Sequence, residues 1–287
     1  MRFHAVGKDG GAPVAGAPYV MLLSPELCGW WAMAAFSAQL GAQGYNTVVC
    51  TWDGFGEAAD EPFPGIGEEA KRVCEWVEKN VPDGLRALVG CGMGGQVAVE
   101  ALCEDSRCAR ALMVGDVLCE KVPGTAGSAK LTALAFMMMG APAAMVITAA
   151  MNYDQIQNVM RERLPRVKKR RRYLASQMDG LGIPRALAQQ FAESVAVTPR
   201  KTASAMTDAV QEWRIPRDIS AIRCPVLVTA SGLETRPYRD SAKALHAAIK
   251  QSKLQVARDL GRNELYLRYP QRGAEEFLTF LGGAGLR

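Results

Sequence analysis

The chain is 287 residues long, 49% hydrophobic and 22% charged, with a formal net charge of +5. That composition excludes an intrinsically disordered, collagenous or disulfide-dense chain and points to a globular protein, one domain with a sizeable insertion. The charge is local: residues 161–172, RERLPRVKKRRR, hold eight basic residues and one acid, so this stretch carries +7, the remainder sums to −2, and no nucleic-acid surface spread over the fold is expected.

The first residues, MRFHAVGKDGGAP, lack the apolar core of a secretory signal, so a cytoplasmic location is expected. The eight cysteines (28, 50, 74, 91, 103, 108, 119 and 224) then read as reduced, mostly buried thiols. Only Cys103 and Cys108 are close in sequence, their spacing fits no zinc pattern, and His4 and His246 are the only histidines. Neither a metal nor a cofactor is expected.

In chain order, short Val- and Leu-rich runs predict strands over 19–24, 46–51, 86–91, 109–115, 225–230 and 253–257, with His4 in a further N-terminal strand. They lack strict alternation, as strands buried on both faces do. Helical periodicity falls between them, over 29–43, 67–80, 95–104, 240–250 and 273–281. Alternating strands and helices predict an α/β fold, a mostly parallel sheet flanked by helices, with any site in loops at the strand C-termini. The alternation stops over 117–222, where helix follows helix (128–151, 153–163, 166–178, 184–194, 199–213). This predicts a helical cap or lid at 117–222 inserted into a core made of 1–116 and 223–287. Residues 131–151, LTALAFMMMGAPAAMVITAAM, carry no charge. A single crossing of a bilayer there would put two strands of one sheet on opposite sides, so the run reads as buried or pocket-facing lid. Peripheral membrane docking beside the basic stretch is the lesser reading.

Two stretches carry chemistry. LVGCGMGGQVAVEAL, 88–102, predicts a strand, a tight glycine turn and a helix, with Gly92 at the tip between Gly90 and Gly94. GYNTVVCTWDGFGE, 44–57, predicts a strand ending in a D-G-x-G-E loop. With SPELCGWW at 24–31, these motifs make the chain resemble the α/β-hydrolase superfamily, in particular bacterial members with a cap, over nearly its whole length. The resemblance implies a nucleophile at the strand–helix turn, a histidine base, an orienting carboxylate and two backbone N–H donors for an oxyanion.

Carried onto this sequence, the nucleophile position is Gly92, which has no side chain, while Cys91 is one residue early and reads as a small buried apolar residue. The base position, in RDLGRNELYLRYP (258–270), is Arg262, which cannot accept a proton at ordinary pH. The acid position is Glu234 or Asp116; a salt bridge from Glu234 to Arg262 is expected. The oxyanion positions are Met93 and Glu26, the latter preceded by a proline where the family carries His-Gly. A degenerate triad follows, and with it a protein without serine-hydrolase activity. What remains is a pocket over a helix N-terminus, with Arg262 above it and Trp30, Trp31, Cys91, Met137 and Met138 as wall candidates. It suits a small, anionic or amphiphilic ligand. Two other readings stay open: an active enzyme of this fold, hydrolase or lyase, using non-standard residues, and an interaction protein acting through the basic segment.

Overall fold

The computed structural model describes residues 1–120 and 178–287. Seven strands form one sheet in the order β1-β3-β2-β4-β5-β6-β7: β1 (Arg2–Val6), β2 (Tyr19–Leu23), β3 (Asn46–Thr51), β4 (Ala87–Cys91), β5 (Leu112–Gly115), β6 (Val226–Ser231) and β7 (Ser252–Ala257). Only β1, which pairs with β3, is antiparallel; the others pair in parallel. The expected α/β-hydrolase architecture, a mostly parallel sheet flanked by helices, is therefore the observed one. The central strands are buried along their whole length, which is why their sequences read as continuous apolar runs.

Parallel neighbours need crossovers, supplied by α1 (Ala34–Gly41), α2 (Ile66–Asn80), α3 (Met93–Glu104) and, before β7, α6 (Arg236–Ala248). Two further helices, α4 (Ala188–Val197) and α5 (Arg200–Glu212), fall between β5 and β6. The chain closes with the short α7 (Glu264–Leu267) and with α8 (Pro270–Gly283). The path from β2 to β3 steps one way across the sheet and every later crossover steps the other way. Right-handed connections therefore put α1 on one face and α2 and α3 on the opposite one. The packing agrees: α1 contacts α8, and α2 contacts α3.

Two boundaries differ from the sequence expectation. The helix expected over 29–43 begins as a 3-10 turn at Trp30–Ala32 and becomes α-helical only at Ala34, because Gly29 is extended and Trp30 N–H is bonded to Thr51 Oγ1 at 3.1 Å. The strand expected from 109 starts at Leu112, the segment before it making a single bridge, Leu85 with Ala109.

The described part of the segment between β5 and β6 contains α4 and α5 and no strand. It packs against the loops that follow β2 and β3: Trp31 Nε1 donates to Ser194 Oγ at 3.2 Å, and Gly56 N–H donates to Thr198 Oγ1 at 3.0 Å. The uncharged run 131–151, with Met137 and Met138, and the basic stretch 161–172 lie outside the described residues. Among the described residues no helix is long and apolar enough to cross a membrane.

The D-G-x-G-E loop is anchored from below by Glu69 of α2. This residue has no solvent exposure, its Oε1 accepts the Asp53 N–H at 3.0 Å, and Arg72 is 4.0 Å from Oε2. Burial pushes the Glu69 carboxyl up to about 8, far above its ordinary range. Because the folded state holds this proton more tightly than the unfolded chain does, the stabilisation is complete below about pH 4 and is lost as pH rises towards 8. Glu69→Gln is expected to flatten that decline, by about 3–4 kcal/mol between pH 5 and 8. Denaturant melts of both proteins across that range test it, and parallel pH profiles would reject it.

Candidate functional site

The sheet reverses its stepping direction at β2 and β4, which are neighbours although β3 lies between them in sequence. A crevice forms above the C-termini of strands at such a reversal, and ligands bind there in open α/β sheets. The loop after β2 carries Glu26 and the turn after β4 carries Gly92. Asp116 follows β5, Ser231 ends β6, and Arg262 lies in the loop after β7. Residues from five distant parts of the chain thus meet at one end of the sheet.

Gly92 caps α3 with φ 55° and ψ −126°, a conformation costing a residue with a side chain about 1–3 kcal/mol. The turn is tight because backbones touch: a Cβ on Gly94 would lie 2.2 Å from the Leu23 carbonyl oxygen, and one on Gly90 2.4 Å from that of Gly94. Glycine at 90 and 94 therefore serves the close approach of α3 to β2 and β4.

The space above this turn is filled by a carboxylate of the chain itself. Glu26 is 4% exposed. Its Oε2 lies 3.4 Å from the Met93 backbone nitrogen, the first N–H of α3, and Oε1 accepts from Arg262 Nη2 at 2.5 Å. A Cβ built on Gly92 would meet the same Glu26 Oε2 at 3.0 Å and Pro25 Cβ at 3.1 Å. The loop that delivers Glu26 is held by Trp52, whose Nε1 donates to the Pro25 carbonyl at 3.0 Å, and by Ser24 Oγ donating to the Cys28 carbonyl at 3.1 Å.

Arg262 is buried with it, and its guanidinium lies 4.7 Å from the centre of the Tyr238 ring. Burial alone would lower the Arg262 value, but Glu26, Tyr238, Glu234 and Asp116 together outweigh it, Glu26 contributing most, and the guanidinium is held above its ordinary range. The positive end of α3, the arginine and the aromatic face thus surround one internal negative charge. The salt bridge expected between Glu234 and Arg262 is replaced by this one. Glu234 Oε1 instead accepts the Thr235 N–H at 2.7 Å, at the start of α6, because Glu26 reaches the guanidinium first.

Asp116 is the second buried carboxylate here, and it binds backbone rather than the arginine. Oδ1 accepts the Ser231 N–H at 2.9 Å; Oδ2 accepts the Asn263 N–H at 2.7 Å and lies 2.8 Å from Ser231 Oγ. It ties the end of β6 to the loop carrying Arg262. Burial pushes its carboxyl up, and these hydrogen bonds pull it back in part.

Among the expected wall residues, Trp31 is buried against Ser194, whereas Trp30 is 40% exposed and lies beside His4, ring centres 5.5 Å apart, outside the crevice. Cys91 is fully buried at the end of β4, and burial, then the Asp116 and Cys28 neighbours, push its thiol well up. Cys28 is pushed up the same way, so neither supplies a thiolate at neutral pH. Sequence reasoning missed Tyr238 and the side chain of Glu26 as the partners of Arg262. Ser24-Pro25-Glu26, where the resemblance led one to expect His-Gly-x, was a visible signal for the second. Tyr238, in the first turn of α6, offered none.

Comparison with known proteins agrees with the geometry. The chain is similar in structure to a hydrolase from Pseudomonas aeruginosa PA01, at 16% identity and a TM-score of 0.66, covering 98% of this chain and 93% of that one. It is similar to the enol-lactonase from Burkholderia xenovorans LB400, at 13% identity and a TM-score of 0.68, covering 98% and 96%. It is also similar to a thermophilic esterase from Thermogutta terrifontis, at 17% identity and a TM-score of 0.65, covering 99% and 93%. A search of curated protein sequences returns no match. At these identities the likeness is one of fold. The model of the alpha/beta hydrolase family matches residues 21–275, and the chain belongs to that family.

Proposed function

We propose that this family member does not carry out serine-type hydrolysis, and that a buried Glu26–Arg262 ion pair replaces its catalytic centre. In this reading Gly92 stands at the nucleophile position and Arg262 at the base position. Asp116 is favoured over Glu234 as the acid position, because its carboxylate bonds the backbone beside Arg262. The observation that carries the reading is the Glu26 carboxylate, 3.4 Å from the Met93 N–H and 2.5 Å from Arg262. An oxyanion hole works by offering unoccupied donors to a charge that develops in the transition state. Here a permanent negative charge already takes the Met93 N–H, and it would repel an oxyanion. The same occupancy argues against an external carboxylate as the resting ligand. The described residues between β5 and β6, which include α4 and α5, are read as belonging to a cap, and the protein as one that binds a ligand or partner rather than turning over an ester.

Fluorophosphonate probes should leave the protein unlabelled, and a panel of short p-nitrophenyl esters should be turned over no faster than in buffer. Stoichiometric labelling of any serine together with ester turnover would overturn the reading. Turnover without labelling would overturn it too, in favour of acid–base catalysis by non-standard residues such as Asp116.

A further inference from the structure

Cys74 and Cys108 are 34 positions apart, and their sulfurs lie 3.1 Å from each other. Cys74 belongs to α2, and Cys108 to the turn that leads from α3 to β5. The close pair in sequence was Cys103 and Cys108; the fold joins a different pair. The separation is about 1 Å more than a disulfide bond, so a small side-chain adjustment closes it. Cys74 is half-buried, with its Sγ also 3.3 Å from the Ala101 carbonyl oxygen, whereas Cys108 is buried.

We propose that Cys74 and Cys108 are a reversible disulfide site, closed by a low-molecular-weight disulfide such as oxidised glutathione, that pins α2 to the turn before β5. Cys74 attacks first. The Cys108 thiol donates to its sulfur, which lowers the Cys74 value, although burial and the nearby Asp105 and Glu104 oppose the shift. The thiolate displaces one glutathione and leaves a mixed disulfide on Cys74. Cys108, held high by that same hydrogen bond and by burial, loses the thiolate partner at this point and becomes easier to deprotonate. Its attack on the Cys74 sulfur expels the second glutathione. Two protein thiols are oxidised, one glutathione disulfide is reduced to two thiols, and both protein protons end on the released glutathiones.

Cys103 and Cys224 are also half-buried, but burial pushes them up to about 12 and about 11, and among the described residues neither has a sulfur hydrogen-bonded to it. They are internal controls. The full-length protein is incubated with oxidised glutathione at pH 8, alkylated, digested and mapped by mass spectrometry. A cross-linked peptide pair containing Cys74 and Cys108 is expected, released by dithiothreitol, with Tm of the oxidised protein higher by about 5 °C. In Cys108→Ser the glutathione should stay on Cys74, and in Cys74→Ser no cross-link should form. Wild-type protein in which Cys74 carries glutathione while Cys108 remains alkylatable would overturn the proposal. So would oxidation at Cys103 or Cys224 with the Cys74–Cys108 pair left reduced. The wild-type map decides the matter even where a serine variant fails to fold.

Discussion

Glu26→Ala is expected to lower the free energy of unfolding by about 3–5 kcal/mol, the cost of leaving one member of a buried ion pair without its partner. The side chains of Arg262 and Glu26 are only 3% and 6% exposed, so water cannot replace the lost carboxylate. The first N–H of α3 loses its acceptor at the same time. Replacing both residues by leucine should recover most of the loss, since an apolar pair of similar volume avoids the desolvation of two charges. Acetate provides a sharper test. In Glu26→Ala the vacated position lies between a guanidinium and a helix N-terminus, so acetate should raise Tm where chloride does not. At an acetate concentration ten times its Kd the gain is about 1.4 kcal/mol. Urea melts of wild type, both single variants and the double leucine variant measure the cycle. A loss below about 1 kcal/mol for Glu26→Ala would place this pair among exposed ones and refute the account.

The second large effect concerns activity. Gly92→Ser should destabilise the protein by about 1–3 kcal/mol and produce no esterase, because the backbone stays at φ 55° and the new Cβ meets Glu26 and Pro25. Adding Arg262→His supplies a base yet removes the partner of Glu26, leaving a buried carboxylate against the donor that an oxyanion would need. Hydrolysis requires the third change, Glu26→Gly, which frees the Met93 N–H. The triple variant is expected to hydrolyse p-nitrophenyl acetate on the order of 100-fold faster than wild type, since nucleophile, base and oxyanion donor act as a unit. Rates for the single, double and triple variants at pH 8 test this. A double variant as active as the triple, with Glu26 still present, would show that the carboxylate does not block the site.

Much of this protein was legible in its sequence because the signals are local. Apolar runs such as VVC at 48–50 and ALVGC at 87–91 belong to strands buried on both faces, and helical periodicity between them dictates crossovers, hence a parallel sheet. The glycines at 90 and 94 specify a turn that only small residues satisfy, and the family resemblance they carry implied Gly92 at the head of α3. Its missing side chain, and an arginine in the RDLGRNELYL loop, are read directly from the letters. The partners were beyond reach. Glu26 and Arg262 are 236 positions apart, and Glu234, only 28 positions from the arginine, was the nearer choice along the chain. The sheet order decided otherwise: it brings the loop after β2 beside the turn after β4, and the loop after β7 folds back over both. The same rule separates the cysteines, where Cys103 is close to Cys108 along the chain but the packing of α2 on α3 delivers Cys74. Sequence determines which backbone conformations and buried faces are available. Which charge neutralises which, in a low-dielectric interior where every charge needs a neighbour, is set by the contacts that remain once the sheet has closed around it.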